Sequence, residues 1–228
     1  MKIRKFFGAY KNMFLRKYLA DNLPDKTLFF EGWILDVLRW VFSVLSMLSL
    51  GRDVQWVIEY KTKSKKYSYL FVDCYVLIWL GLIIFLFIRQ SSVNYGNAFS
   101  YWLVGLITYR LFEIFQSWVS QFIIGGVPKR GWRPISKYRS LILVFLSYIE
   151  ITTIYAIFAL LFRNNFKDMK DYKDAFYYSV RNAVTIGTNF DPSGLIGQVL
   201  FYSQIIFVLL FLTAVIQSII SYKEELTE

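Results

Sequence analysis

The sequence predicts an all-α integral membrane protein with four spanning helices, an interfacial or fifth helix, and a re-entrant loop between the last two spans. Its composition is the first reason, because 56% of the 228 residues are apolar and 20% are aromatic, more than a soluble domain of this size carries. The apolar residues also form runs of about 20, the length that a helix needs to cross roughly 30 Å of hydrocarbon.

Three apolar runs are long enough to cross a bilayer and carry few internal charges. They comprise residues 69–88, 140–162 and 195–222. A fourth run, residues 98–125, is also long enough, but it carries Arg110 and Glu113 near its middle, on one face of a helix. We interpret this run as a further spanning helix.

Residues 33–50 fit either a span or an interfacial helix, because polar side chains recur along them at helical spacing. These side chains are Asp36, Arg39, Ser43, Ser46 and Ser49. Basic clusters precede this segment, follow it, and return at residues 129–137, and such clusters concentrate in cytoplasmic loops. Placing all three clusters inside requires that residues 33–50 do not cross. The sequence then predicts a multi-pass plasma-membrane protein with both termini in the cytoplasm and the loop of residues 163–197 outside.

The formal charge of +10 predicts contact with anionic lipid headgroups rather than with nucleic acid, because the basic residues lie between apolar runs. The chain has no His and one Cys, Cys74, so the sequence predicts neither a disulfide framework nor a Cys/His metal site. It also carries no G-x-S-x-G, P-loop or G-x-G-x-x-G motif. We therefore predict that it is not an enzyme and needs no cofactor.

Residues 174–192, between the last two spans, read D-A-F-Y-Y-S-V-R-N-A-V-T-I-G-T-N-F-D-P. This stretch resembles the pore loop of the potassium-channel family, whose members typically carry A-L-Y-F-S-x-x-T-x-T-T-V-G-Y-G-D-x-x-P between two helices. The identical residues are Ala175, Tyr177, Ser179, Thr185 and Gly187, and the conservative replacements are Phe176, Tyr178 and Ile186. The resemblance extends weakly over residues 139–222.

The resemblance implies a homotetrameric cation channel in which each chain supplies one pore loop, with monovalent cations such as K⁺ or Na⁺ as permeant ions. It implies a selectivity filter at Thr185, Ile186, Gly187, Thr188 and Asn189, and an acidic pore mouth at Asp191. Physical chemistry agrees, because non-helical backbone at membrane depth is tolerated only where it is buried in protein or lines water. A short helix capped by Asp171 or Asp174 would also direct the negative end of its dipole toward the pore.

Two filter positions depart from the family, since Thr188 stands where the family has tyrosine and Asn189 where it has the second glycine. The loop to the proline is also one residue shorter. We expect a site that separates K⁺ from Na⁺ poorly, because Asn restricts the backbone more than Gly does. The alternative function is a non-conducting membrane scaffold or interaction protein that retains the channel fold.

Arg181 stands where the family usually has an apolar residue, and a guanidinium at membrane depth needs a partner. We predict an intramembrane charge pair between Arg181 and Glu150, which lies midway along the outer helix. In the alternative arrangement, Arg181 extends outward and Glu150 binds Arg110. The sequence leaves both arrangements open.

One face of the last span combines polar ends with an apolar middle at helical spacing. Its members, which form the predicted pore lining, are Ser203, Phe207, Leu210, Ala214, Gln217 and Ser221. Ordinary helix packing would give a similar face. The chain then divides into a basic cytoplasmic or interfacial region (residues 1–66), a two-helix membrane region (67–137), and an outer helix, pore loop and inner helix (138–222).

Overall fold

The computed structural model describes residues 49–62, 65–92, 97–119, 137–187 and 190–225. The chain divides into two compact units, Met1–Ser49 and Leu50–Glu228, and the fold below is that of the second unit. The predictions for the basic N-terminus and for residues 33–48 lie outside the described residues. Within the described ranges the structure is all-helical and contains no strand.

Six α-helices form the described part of this unit. They are α1 (Leu50–Thr62), α2 (Lys65–Ser92), α3 (Asn97–Trp118), α4 (Lys137–Leu161), α5 (Tyr172–Ala183) and α6 (Leu195–Glu225), and a 3₁₀ turn (Arg163–Asn165) follows α4. Three segments within them are long and apolar enough to cross a membrane, namely Lys66–Gln90, Tyr138–Leu161 and Leu195–Ile216. The three runs with few internal charges that the sequence predicts are thereby confirmed as membrane-length helices.

Helix α3 confirms a helix in the fourth predicted run, although its hydropathy does not place it among those three. Its 22 residues extend about 33 Å, which is sufficient length to cross. Arg110, Glu113 and Gln116 lower its hydropathy, and all three side chains are buried within the helix bundle. The low hydropathy of α3 therefore reflects its inner face, which packs against protein.

Helices α2 and α4 begin on the same side of the bundle. Arg139, near the start of α4, donates to the two carboxylate oxygens of Asp73 at 3.2 and 2.7 Å. It also donates to the backbone carbonyl of Tyr69, near the start of α2, at 2.9 Å. The two helices therefore run parallel.

Helix α3 runs antiparallel to α2. The hydroxyl of Tyr75 donates to Glu113, and the guanidinium carbon of Arg110 lies 5.3 Å from the ring centroid of Trp79. Later residues of α2 thus meet earlier residues of α3. Because α4 is parallel to α2, the chain reverses direction at each of these connections.

Helix α6 runs antiparallel to α4 and packs on it through aromatic side chains. The ring of Tyr148 stacks on that of Phe211 at a centroid distance of 3.9 Å, and the hydroxyl of Tyr155 donates to Ser203 Oγ at 2.9 Å. The ring of Phe207 also meets those of Tyr155, Phe115 and Trp118 edge to face. In hydrocarbon such packing holds helices together, and an edge-to-face pair contributes about 0.5–1.5 kcal/mol.

Helix α1 forms a hairpin with the first half of α2. Thr62 ends α1 just before Lys65 begins α2, while at the other end Gly51 lies against Tyr75. A Cβ atom on Gly51 would come within 2.8 Å of Tyr75 Cε1, so a side chain there would have to displace the Tyr75 ring. The start of α1 consequently reaches the middle of α2.

Candidate functional site

Helix α5 begins with a complete capping box. Asp171 Oδ1 accepts hydrogen bonds from the backbone nitrogens of Lys173 and Asp174 at 2.8 and 3.0 Å. In return, Asp174 Oδ2 accepts from the backbone nitrogen of Asp171 at 3.3 Å. The predicted cap is confirmed, and both aspartates take part in it.

The start of α5 sits on a small apolar cluster at the end of α4. This cluster comprises Ala159, Phe166, Met169, Ala175 and Tyr178. The ring of Tyr178 packs against that of Phe166 at 4.8 Å, and burial raises the pKa of its hydroxyl above the ordinary value. The helix is therefore seated by apolar packing on one face and by its cap at one end.

The last turns of α5 are hydrogen-bonded to α4. Ser179 Oγ donates to the carbonyl of Thr152 at 2.6 Å, and the hydroxyl of Tyr148 donates to the carbonyl of Ala183. Ala183 is the final residue of α5. Helix α4 thus fixes the position of α5 along the α4 axis and holds the C-terminal end of α5.

Helix α6 holds the same turns of α5 from the other side through one buried amide. Gln204 Nε2 donates to the carbonyl and hydroxyl oxygens of Ser179 at 2.9 and 3.1 Å, and Gln204 Oε1 accepts from Asn182 Nδ2 at 2.9 Å. Buried amides in apolar surroundings are stable when their hydrogen bonds are satisfied in this way. We call these contacts the Gln204 clamp.

The segment 185–187, which begins one residue after the C-cap Val184 closes α5, has strained and exposed backbone. Thr185 has φ 60° and Gly187 has φ 79°, and a β-branched residue rarely adopts a positive φ. The backbone nitrogens of Thr185 and Ile186 turn back to the carbonyls of Asn182 and Arg181 at 3.2 and 3.1 Å. Ile186 is 67% exposed. Strain of this kind costs on the order of 1–3 kcal/mol and clusters at functional sites.

The predicted filter is described over Thr185, Ile186 and Gly187, whereas Thr188 and Asn189 lie outside the described residues. The chain returns at Phe190, whose ring meets that of Tyr177 edge to face at 6.5 Å. Asp191, the predicted pore mouth, is exposed, and its carbonyl accepts from the backbone nitrogen of Lys167 at 3.0 Å. The return is therefore anchored to the turn that follows α4.

The predicted charge pair between Arg181 and Glu150 is wrong, because Arg110 occupies both oxygens of Glu150. Arg110 Nε and Nη2 donate to Glu150 Oε1 and Oε2 at 2.5 and 3.0 Å, while Arg110 and Glu150 are only 4% and 0% exposed. Arg181 instead turns back along its own helix and donates to the hydroxyl of Tyr177 at 2.7 Å. Of the second arrangement that the sequence left open, the pairing of Glu150 with Arg110 is observed, whereas Arg181 does not extend outward but binds Tyr177.

Arg110 also connects Glu150 to the first three helices. Its Nη1 donates to Glu113 Oε2 at 2.9 Å, and its guanidinium carbon lies 5.2 Å from the ring centroid of Tyr75. Glu113 accepts further hydrogen bonds from Tyr75 Oη, from Tyr109 Oη and from the backbone nitrogen of Gly51, at 2.7, 3.1 and 3.2 Å. We call these contacts the Arg110 network. It joins α1, α2 and α3 to the helix that carries Tyr148 and Thr152.

No protein-family model, no curated protein and no solved structure matches this chain. Among the described residues, no group of three or more His, Cys, Asp or Glu side chains could hold a metal ion.

The predicted pore lining is wrong for two of its members, because Phe207 and Ala214 are buried against the other helices. Ser203 accepts a hydrogen bond from Tyr155, and Leu210 packs against the same core. The side chains of Gln217 and Ser221 lie outside the description. On α6 the exposed side chains instead lie about 100° around the helix axis, one position before each predicted member, and include those of Tyr202, Ile206, Leu209, Thr213 and Ile216. Helical spacing grouped these residues on one face of α6, but it did not show which face packs against the other helices.

Three residues that hold α5 were not predicted as site residues from the sequence, namely Tyr148, Asn182 and Gln204. Gln204 offered a signal, since an amide among apolar residues of a long helix is costly unless it finds a partner. Its partners are 22 and 25 residues away along the chain. The sequence could therefore indicate that Gln204 needs a partner, but it could not identify which residues are the partners.

Proposed function

We propose that this chain is a pore-forming subunit of a homotetrameric channel for monovalent cations, similar to the potassium-channel family but weakly selective. One observation carries the proposal. The strained, exposed segment 185–187 lies at the end of a capped helix, and two helices of membrane length hold that helix from both sides. Rigid support of this kind is what a site built from backbone carbonyls requires.

The exposure of segment 185–187 supports assembly around it. Backbone outside a helical ladder cannot face hydrocarbon, so at membrane depth it must meet protein or water. Ile186 and Gly187 are exposed in the single chain. Four copies around an axis would cover these segments mutually and present their carbonyls to a shared aqueous path, where they replace the hydration shell of a cation.

We further propose that α2, α3, α4 and α6 all cross the membrane, with α5 re-entering between the last two. The alternating directions of these helices support four crossings, and the buried polar face of α3 explains its lower hydropathy. The starts of α2 and α4 and the end of α6 then face the cytoplasm of the plasma membrane, where their basic residues meet anionic lipids. The capping box of α5 lies on the outer side.

Cysteine labelling tests on which side of the membrane these helix ends lie. In a Cys74→Ser background, we expect a cysteine at Lys63 or Arg130 to react with an impermeant reagent only from the cytoplasmic side. A cysteine at Lys170, which is exposed beside the capping box, should react only from outside. Labelling at Lys63 from outside would contradict the four-crossing topology and would favour a crossing by residues 33–50.

The proposal is tested by reconstituting the purified protein into liposomes and measuring K⁺, Na⁺ and Cl⁻ flux, together with the mass of the oligomer in detergent. We expect cation flux and a tetramer. A monomer or dimer without flux would favour the second candidate function, a non-conducting membrane scaffold. The replacements at Thr188 and Asn189 and the charge on Arg181 are the features that favour this second candidate.

A further inference from the structure

We propose that Arg181 makes the pore prefer monovalent over divalent cations, an inference that rests on the channel function proposed above. The residue lies in the last turn of α5, and its own carbonyl accepts the hydrogen bond from Ile186 that shapes segment 185–187. Its guanidinium carbon lies 5.2 Å from the ring centroid of Tyr177, and that ring in turn meets Phe190 on the far side of the segment. The backbone of Arg181 therefore adjoins the segment, and its guanidinium lies one turn back along α5, next to the ring that contacts Phe190 after the segment.

No carboxylate in the described ranges forms an ion pair with Arg181. The ion pairs there join Arg110 to Glu113 and to Glu150, and Arg139 to Asp73. The partner of Arg181 is the neutral hydroxyl of Tyr177, and its buried Nε atom has no hydrogen-bond partner among the described residues. The hydroxyl orients the guanidinium without cancelling its charge.

The positive charge of Arg181 is larger than the partial negative charge at the C-terminal end of α5. The C-terminal end of a helix carries about half a negative elementary charge, whereas Arg181 carries a whole positive one. Asp191 attracts cations, but it is exposed and therefore screened by salt more strongly than a half-buried group. The charge of Arg181 therefore weakens the attraction of cations to the segment, and it opposes a divalent ion with twice the energy with which it opposes a monovalent ion.

The test compares the permeability ratio of Ca²⁺ to K⁺, from reversal potentials with chloride salts, in wild-type protein and in Arg181→Gln. We expect the ratio to rise at least about ten-fold, because removal of a nearby unit charge relieves a divalent ion of twice the opposing energy that it relieves a monovalent ion of. Arg181→Lys keeps the charge and should keep the wild-type ratio. Lys173→Gln is the matched control, because it removes one positive charge from the exposed start of the same helix and should leave the ratio unchanged.

Arg181→Met serves as a second uncharged variant if Arg181→Gln does not assemble to the wild-type oligomer mass. If the wild type conducts cations and the Ca²⁺ to K⁺ ratio is the same in the assembled uncharged variant, the role of Arg181 is overturned. The channel function is not affected by that result. A rise of equal size in Lys173→Gln would also overturn the role of Arg181, because the effect would then follow the overall charge. A wild type without any cation current would overturn the channel function and this inference with it.

Discussion

Arg110→Met is expected to lower the free energy of unfolding by about 3–5 kcal/mol, because it leaves the buried carboxylates of Glu150 and Glu113 without their cation. Glu150 is the more affected of the two, since it lies fully buried and receives two hydrogen bonds from the guanidinium. Glu113 retains the hydroxyls of Tyr75 and Tyr109 and the backbone nitrogen of Gly51. The loss can be measured by denaturation in mixed micelles, followed by tryptophan fluorescence.

Arg139→Met is the matched control for this prediction. Arg139 also binds a carboxylate through two nitrogens, but its side chain and that of Asp73 are 28% and 39% exposed, so the loss should be at most about 1 kcal/mol. In a double-mutant cycle of Arg110→Met with Glu150→Met, the double variant should be more stable than the sum of the single losses predicts, by about 1 kcal/mol or more. Equal losses at Arg110 and Arg139, or strict additivity in the cycle, would show that the Arg110 network does not hold the bundle together.

Gly187→Val is expected to abolish cation flux. A positive φ costs L residues about 1–2 kcal/mol and β-branched residues more, so valine would rotate the backbone out of its present conformation. The carbonyls on either side of residue 187 would then leave their positions. The measurement is liposome flux at matched oligomer mass, which separates loss of the site from loss of the fold.

Gly81→Val is the control for Gly187→Val. Gly81 lies on the exposed face of α2, and a Cβ atom there would meet nothing within 4 Å. The Gly81→Val variant should therefore conduct like the wild type. A conducting Gly187→Val variant would show that the conformation at residue 187 is not required for ion passage.

The membrane-length helices were predictable from sequence because length and hydropathy alone determine them. Residues 69–88, 140–162 and 195–222 correspond to α2, α4 and α6. The capping box was predictable for a similar reason, since Asp171 and Asp174 are close in sequence and need no tertiary contact. Length, hydropathy and capping residues thus predict these three helices and the start of the short helix between the last two of them.

Contacts between helices were not predictable, because they depend on the rotation of each helix about its axis. Glu150 had two candidate cations, and only the packing of α3 on α4 brings Arg110 to it. The predicted pore-lining face of α6 had the same ambiguity, and the aromatic side chains of α3 and α4 decide that Phe207 faces inward. The Gln204 clamp likewise arises only after α5 is seated between its two neighbours.

The most direct test of the channel function is the reversal potential of the wild-type protein in a planar bilayer, under a KCl gradient and then with K⁺ and Na⁺ on opposite sides. The proposed site predicts reversal near the potassium equilibrium potential in the gradient, and near zero with K⁺ opposed to Na⁺, because only one of the two family glycines is present. Reversal at the chloride potential, or no current above that of a protein-free bilayer, would contradict it.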